Sequence, residues 1–297
     1  RIIEEQAGLK ALGYLPSIPE AAFESRHLGL VTAGEVASLQ QKVRLLGEKA
    51  AKTIDLAGIL ELAGTAPALC YEPVDFSPVG SCRIGVAMDH AFCFYYRDNL
   101  DLLEKLGAEI VSFSPLNDDA LPENLDGLIF GGGYPELHGA KLAANESFLK
   151  SLRAAAGTGI PIYGECGGFL YLQEAISPAE GRRYPMAGLL PGEGKMTRKL
   201  TRFGYLTLKA QVNNLLCGKG EAINAHEFHS SDSSHNGGVF LGEKPSGKSW
   251  GCFQKKGNIL AGYPHLHFYG NPDFARNLVK ACDAYRQKRE KTANRRK

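Results

Sequence analysis

The sequence predicts an α/β fold: a mostly parallel sheet with helices on both faces, followed by a β-rich C-terminal half. Three observations predict it. Short apolar runs alternate with helical segments between Arg83 and Ile176, the pattern of successive βα units. Two of those runs end in glycine-rich turns, at residues 131–133 and around Cys166, and parallel sheets bind ligands at the carboxyl ends of their strands. Beyond Pro178 the helical period disappears, and candidate strands follow one another with turn residues between them.

Taken in order, residues 1–50 open with Leu9, Leu12, Leu15 and Ile18, closed by Pro16 and Pro19. From Glu35 the spacing predicts a helix with Val36, Leu39, Val43, Leu45 and Leu46 on one broad face, started by Thr32 or by Ala33 and Gly34. A second helix is expected over 54–62. Residues 64–81 are rich in Pro and Gly, without a period, and read as an interdomain linker. At Arg83 the pattern changes. Residues 83–89 read as a buried strand, 96–106 as a helix capped by Gly107, 108–115 as a second strand, and 126–136 as a third that runs into a glycine turn. A helix over 145–156 ends at Gly157, and 160–165 form a fourth strand. After Cys166, the residues Phe169, Leu170, Leu172 and Ile176 suit an amphipathic helix. Later strands are expected at 205–210, 221–231, 238–241 and 250–263, with a hairpin turn at 255–258. A last helix covers 273–285, after Asn271 and Pro272. The expected organisation is thus 1–63, a linker at 64–81, the main domain at 82–285 and a basic tail at 286–297.

Composition excludes several classes. The chain has 297 residues, 44% hydrophobic and 22% charged, as expected of a soluble globular protein. A net charge of +2 gives no field for nucleic acid. Seven Lys and Arg fall in residues 286–297, and a solvated, frayed tail is the expectation there. No apolar run reaches the roughly 18 residues of a spanning helix. The seven cysteines are scattered and form no C-x-x-C pair, which argues against a disulfide framework or zinc ribbon and for a reducing cytoplasm. The opening RIIEEQAGLKALGYLP lacks the apolar core of a signal peptide, and without Met it reads as cut from something longer.

The chemistry centres on Cys166. It lies in GECGG, residues 164–168, between a strand and a helix. A tight turn there exposes the sulfur, a helix N-terminus favours its thiolate, and glycines let a substrate approach the backbone. A thiolate attacking an amide also needs oxyanion donors and a base. The amides of Gly167 and Gly132 are the expected donors, with Gly131 and Gly133 beside them. A phosphate-binding loop or a plain turn is the alternative reading of those three glycines. Among eight histidines, His265 and His267 follow a strand and precede a helix; on a period-two strand both face one side, and the alternative is that the chain turns there. His226 and His229 in HEFH, joined to HLH, would make a metal set, but the spacing is not H-E-x-x-H and no metal site is expected. His138 is close enough to the glycine turn to touch substrate, whereas His27, His90 and His235 read as surface or loop residues. Residues 242–249, GEKPSGKS, match the P-loop string, yet strand-like residues follow where a P-loop needs a helix. A polar hairpin loop is expected instead.

The order of strand, GGG turn, strand, GECGG turn, helix and late His resembles the class I (triad-type) glutamine amidotransferases, which have a flavodoxin-like core. DGLIFGGGYPELH (126–138), IYGECGGFLYL (162–172), HEFHSS (226–231) and YPHLHFYGNP (263–272) resemble the cobyrinic acid a,c-diamide synthase family. Residues 11–35 resemble the end of that family's dethiobiotin-synthetase-like domain. The resemblance implies glutamine and a corrinoid as substrates, with ATP and magnesium serving the synthetase domain, whose P-loop is absent from this sequence. It implies Cys166 as nucleophile and His265 as its base; beside the expected oxyanion donors Gly132 and Gly167, the residues Gly131, Gly133, His138 and Glu165 are expected as substrate contacts. It is also compatible with a homodimer. Other class I enzymes carry Glu two residues after the His; here that place is His267, so a Cys–His pair is expected rather than a triad. The family usually shows GHEFHYS where Ala225 and Ser230 stand here. Near neighbours are cobyric acid synthase and nickel-sirohydrochlorin a,c-diamide synthase. A non-catalytic module, or an amidohydrolase or peptidase on the same scaffold, are the readings from other classes.

Overall fold

The computed structural model describes residues 2–23, 31, 36–71, 76–178 and 181–294. The chain divides into two compact units, Arg1–Val74 and Asp75–Lys297. The first is helical: α1 (Ile2–Ala7), a 3-10 turn at Pro19–Ala21, α2 (Leu39–Thr53) and α3 (Leu56–Gly64). Asp55 caps α3 by accepting the Gly58 N–H at 2.9 Å, the satisfaction a first turn needs. Helix α2 is entered through Ser38, in left-handed geometry, and buries none of its residues. The start expected at residues 32–34 lies outside the described residues, as do His27 and residues 72–75 of the expected linker.

The second unit is built on a six-stranded sheet. Its elements begin with β1 (Cys82–Ala87), α4 (Arg97–Lys105), β2 (Ala108–Phe113), β3 (Gly127–Phe130), α5 (Gly139–Ala144), α6 (Glu146–Gly157), β4 (Ile162–Glu165) and α7 (Gly167–Leu172). The β-rich part follows with β5 (Ala175–Ser177), β6 (Tyr184–Pro185), β7 (Glu193–Met196), β8 (Arg202–Ala210), β9 (Ala222–His229), β10 (Ser231–Ser233), β11 (Phe240–Glu243) and β12 (Ser249–Cys252). It closes with β13 (Gln254–Lys256), β14 (Ile259–Gly262), β15 (His265–Leu266) and the helix α8 (Asp273–Asn294). The main sheet runs β13-β14-β4-β3-β1-β2, parallel except for the edge strand β13. A four-stranded sheet, β10-β7-β5-β6, and an antiparallel five-stranded sheet, β12-β11-β8-β9-β15, complete the unit.

Alternation along the central strands explains the layering. Ile129, Tyr163 and Leu260 pack into one cluster with Leu102 and Leu103 of α4 and Phe274 and Leu278 of α8. Their neighbours Leu128, Phe130, Ile162, Ile259 and Ala261 pack into the other, with Phe148, Leu149 and Leu152 of α6 and Phe169, Leu170, Tyr171 and Leu172 of α7. Both faces are therefore covered, as the near-continuous apolar runs require. Phe130 ends β3 fully buried, with its ring 5.6–6.0 Å from those of Phe92, Phe113 and Tyr171. Such pairs add about 0.5–1.5 kcal/mol each beyond burial, so the point where the glycine loop begins is firmly fixed.

Some elements differ from expectation. The helix after Cys166 stops at Leu172, and Ile176 lies on β5. The cause is Gln173, whose buried amide donates to Ser233 Oγ (2.7 Å) and the Pro191 carbonyl (3.2 Å) and pulls the chain toward the second sheet. The 250–263 run is broken at Phe253, which has φ +59°, so β12 and β13 belong to different sheets. Residues 76–81 are part of the second unit, since Phe76 and Val79 pack on its core and Val79 N–H bonds the Leu106 carbonyl. The expected frayed tail is helical to Asn294. Arg286 pairs with Asp283 (2.9 Å) and Glu290 (3.1 Å), and Arg289 reaches the buried Asp126 at 3.0 Å. Residues 242–249 form the β11–β12 hairpin, closed by Lys244 N–H to Lys248 O.

Candidate active site

Cys166 sits between β4 and α7 with φ +48° and ψ −103°. This strained turn is what lifts a nucleophile off the end of a strand. It is held on both sides: the Cys166 N–H donates to Gly262 O of β14 at 2.8 Å, and its carbonyl accepts from Leu170 at 3.1 Å. Helix α7 then packs directly on β3. A Cβ at position 168 would lie 2.0 Å from the Phe130 carbonyl oxygen, so only glycine lets the helix approach this closely. Cys166 remains half-buried, open enough for a ligand to reach.

The glycine loop after β3 lies against this turn. Gly131 O accepts Gly168 N–H (2.9 Å), and Gly132 O accepts the amides of Cys93 and Phe94 (both 3.0 Å). No cis peptide is present among the described residues, so each N–H there points opposite to the carbonyl before it. The Gly132 N–H therefore points away from α7, whereas the Gly133 N–H points away from residues 93–94. Gly133 N also lies 3.0 Å from the place a Cβ on Gly167 would take. Tyr95 fixes the loop's start, accepting Gly131 N–H at 2.9 Å and donating to Ala87 O. Burial raises the Tyr95 pKa, so the phenol stays neutral.

His265, on β15, completes the cluster. Its ring covers Gly132: a Cβ there would meet His265 Cε1 at 2.6 Å. Nδ1 faces Glu165 Oε2 at 3.2 Å, an oxygen to which a ring N–H can donate. Burial alone would lower the imidazole pKa. Hydrogen bonding and charge from Cys166 and Glu165 outweigh it, and the pKa rises to about 10. The ring is thus held as an imidazolium beside Cys166.

The expected residues sort as follows. Cys166, His265, Glu165, Gly167 and the three loop glycines converge. His138 ends the 3-10 turn Pro135–His138 that leaves the loop, its ring 6.5 Å from that of His90. His267 does not share a side with His265, because β15 ends at Leu266; it faces Asp98 (3.5 Å) and stacks on Tyr269. His226 and His229 also part. His226 lies among Phe203, Tyr205 and Phe228, while His229 is buried, stacked 3.8 Å from Tyr263 and bonded to Glu227 at 2.9 Å. Among the described residues no three His, Cys, Asp or Glu side chains group as a metal site. Tyr163 and Tyr95 escaped the sequence reading, and so did the contact of Glu165 with His265. One signal was available: Glu165 is a carboxylate ending an otherwise apolar strand, and such a group needs a partner inside.

Comparison with known proteins places this geometry. Residues 83–273 match the CobB/CobQ-like glutamine amidotransferase domain. The chain belongs to that family. It is 40% identical to cobyrinate a,c-diamide synthase of Dehalococcoides mccartyi (strain 195), over 96% of this chain and 64% of the relative. It is 39% identical to the protein of that name in Salmonella typhimurium, over 94% of this chain and 62% of the relative. The amidotransferase-family chain thus spans less than two thirds of the length of these relatives. The Thermotoga maritima PurLQS structure shares its fold, with TM-score 0.50 and 21% identity, over 69% of this chain and 99% of that one. No helix among the described residues is long and apolar enough to cross a membrane.

Proposed function

We propose that this chain carries the glutaminase half of an enzyme that amidates the a and c side-chain carboxylates of cobyrinate. The observation that carries the reading is Cys166 on a strained strand-to-helix turn, with the His265 ring held beside it over Gly132. In this mechanism the Cys166 thiolate attacks the side-chain amide carbon of glutamine, forming the S–C bond. The oxyanion is held by the N–H groups of Gly167 and Gly133. The second donor is one residue beyond the expected Gly132, because of the peptide orientations above. His265 gives its proton to the leaving nitrogen, the C–N bond breaks, and ammonia departs from a glutamyl thioester. Water activated by the now neutral His265 cleaves the thioester to glutamate.

The names of the relatives support the corrinoid as final acceptor of the ammonia. Residues 1–63 are read as the end of a synthetase domain, in which ATP and magnesium activate the carboxylate. The hairpin at 242–249 does not fit a nucleotide cradle, since no helix N-terminus follows it. Glutamine hydrolysis as proposed is carried by this chain's own residues. A glutaminase assay beside Cys166→Ala tests it: the variant should lose at least about 10³-fold in kcat. Equal glutamate release from both proteins would end the proposal.

A further inference from the structure

We propose that Glu165 is the positioning residue for His265, so that the carboxylate of a three-residue relay comes from the position just before the nucleophile. This rests on the glutaminase reading. Three features of the geometry carry it. First, Glu165 Oε2 lies 3.2 Å from His265 Nδ1, with the two side chains only 10% and 16% exposed. Second, Oε1 is fully committed inside the fold. It accepts the Tyr163 O–H at 2.6 Å and the Leu266 N–H at 3.0 Å. One carboxylate thus grips the ring of residue 265 and the backbone of residue 266, fixing both the tautomer and the direction of the imidazole. Third, no Lys or Arg pairs with Glu165 among the described ion pairs, so His265 is its cationic partner there. Oε1 takes two donors from within the fold, and Oε2 is directed at the His265 ring. The substrate-contact role expected from the sequence gives way to a positioning role.

No carboxylate beyond His265 competes. Leu266 is apolar, and His267 faces Asp98 at 3.5 Å, itself 70% exposed. The titratable groups facing the pair are Cys166 at the turn, Tyr163 on β4, His226 across the ladder on β9, and Tyr95 and Tyr96 before α4. Cys166, together with Glu165 itself, favours the imidazolium, and His226 is pushed toward its neutral form by burial and then by His265.

The experiment compares wild type, Glu165→Gln, Glu165→Asp and Tyr163→Phe in the full chain. Glutamine hydrolysis is followed against pH, together with the pH dependence of Cys166 alkylation by iodoacetamide. Glu165→Gln should lower kcat by about 10²-fold, between the loss of an orienting partner and a wrong tautomer. KM for glutamine should stay within about 2-fold, and the alkaline limb of kcat should move to lower pH, since the carboxylate no longer holds the imidazolium. Glu165→Asp should recover part of the loss, and Tyr163→Phe should move the limb the same way by less. A raised KM with unchanged kcat would make Glu165 a substrate contact and overturn the proposal, as would an unmoved limb. Should the Glu165 variants not fold, the wild type still decides: a far-downfield proton from Nδ1–H bonded to a carboxylate must appear in its NMR spectrum, and its absence refutes the pair. A wild type that releases no glutamate, with an intact downfield proton, would sink the glutaminase reading and leave the Glu165–His265 pair standing.

Discussion

Replacing Gly168 by alanine should displace the nucleophile without touching it. A Cβ on residue 168 would sit 2.0 Å from the Phe130 carbonyl oxygen and 2.5 Å from its carbon. Both are backbone atoms of a central strand, so neither yields as a flexible side chain would. Real Cβ atoms essentially never come within 3.0 Å, so α7 must retreat from β3 by at least about 1 Å. The Gly168 N–H to Gly131 O bond, now 2.9 Å, would lengthen beyond hydrogen-bond range. Overpacking of this kind costs about 1–3 kcal/mol, or a fall in melting temperature of roughly 2–12 °C for a unit of this size. Cys166 is the residue that opens the helix and moves with it, and a misplacement of about 1 Å costs about 10²-fold in rate. Differential scanning calorimetry and a glutaminase assay measure the two effects. Gly157→Ala is the control: it lies at the end of α6 with nothing within 4 Å of its added Cβ, and should stabilise by about 0.5–1 kcal/mol. A Gly168→Ala protein with wild-type melting and wild-type kcat would refute the close contact between α7 and β3.

Two further outcomes follow from the electrostatics. Arg289→Ala leaves the Asp126 carboxylate, 1% exposed, with the Arg83 N–H as a remaining donor. Because Arg289 is itself 33% exposed, the full 3–5 kcal/mol of a broken buried pair is discounted to about 1–2 kcal/mol; a urea melt with an unchanged midpoint would contradict the helical continuation of α8. The His265 pKa is raised above its ordinary 6.5 to about 10, so its stabilisation is fully present below pH 6.5, declines above it, and is gone above about pH 10. The stability gap between wild type and His265→Gln should therefore close across that window in denaturant titrations, and a gap that widens with pH would reverse the assigned sign.

Much of the fold could be read from local pattern, and the site only from its parts. The runs at 83–89 and 160–165 and the start of 126–136 each contain a strand buried on both faces and nearly continuously apolar, whereas the edge strand in 108–115 exposes Glu109 and Ser112. Cys166 and the three glycines were legible because strand-to-helix turns at sheet ends are chemically distinctive. Glu165 was visible, but its partner was not. The His265 ring and the Leu266 N–H reach it from 100 and 101 residues away, and no local pattern records such a contact. The end of α7 was hidden for the same reason, since Gln173 is drawn off the helix by Ser233, 60 residues on. The helical continuation past Tyr285 was masked by composition: a basic run reads as solvated unless the buried acid that pairs with it, Asp126, is known to lie beside it.

The order of strands explains why His265, of the seven described histidines, reaches the cysteine. The neighbours β14, β4 and β3 are parallel, so their carboxyl ends lie side by side, about 4.8 Å apart. The end of β3 releases the glycine loop, that of β4 bears Glu165 and Cys166, and that of β14 lies three residues before His265. The register Gly262↔Glu165 brings the last residue of β14 level with the last of β4, and Phe130↔Gly164 ends β3 one residue short of it. Each group therefore reaches the same point after a short, stiff connection, whatever its distance in sequence. His226 and His229 lie on β9 of another sheet, and β15 is the two-residue ladder that joins β9 to this point through His265↔His226. The site is thus a property of two pairings: β14 on β4 levels the strand ends, and β15 on β9 holds His265 beside them.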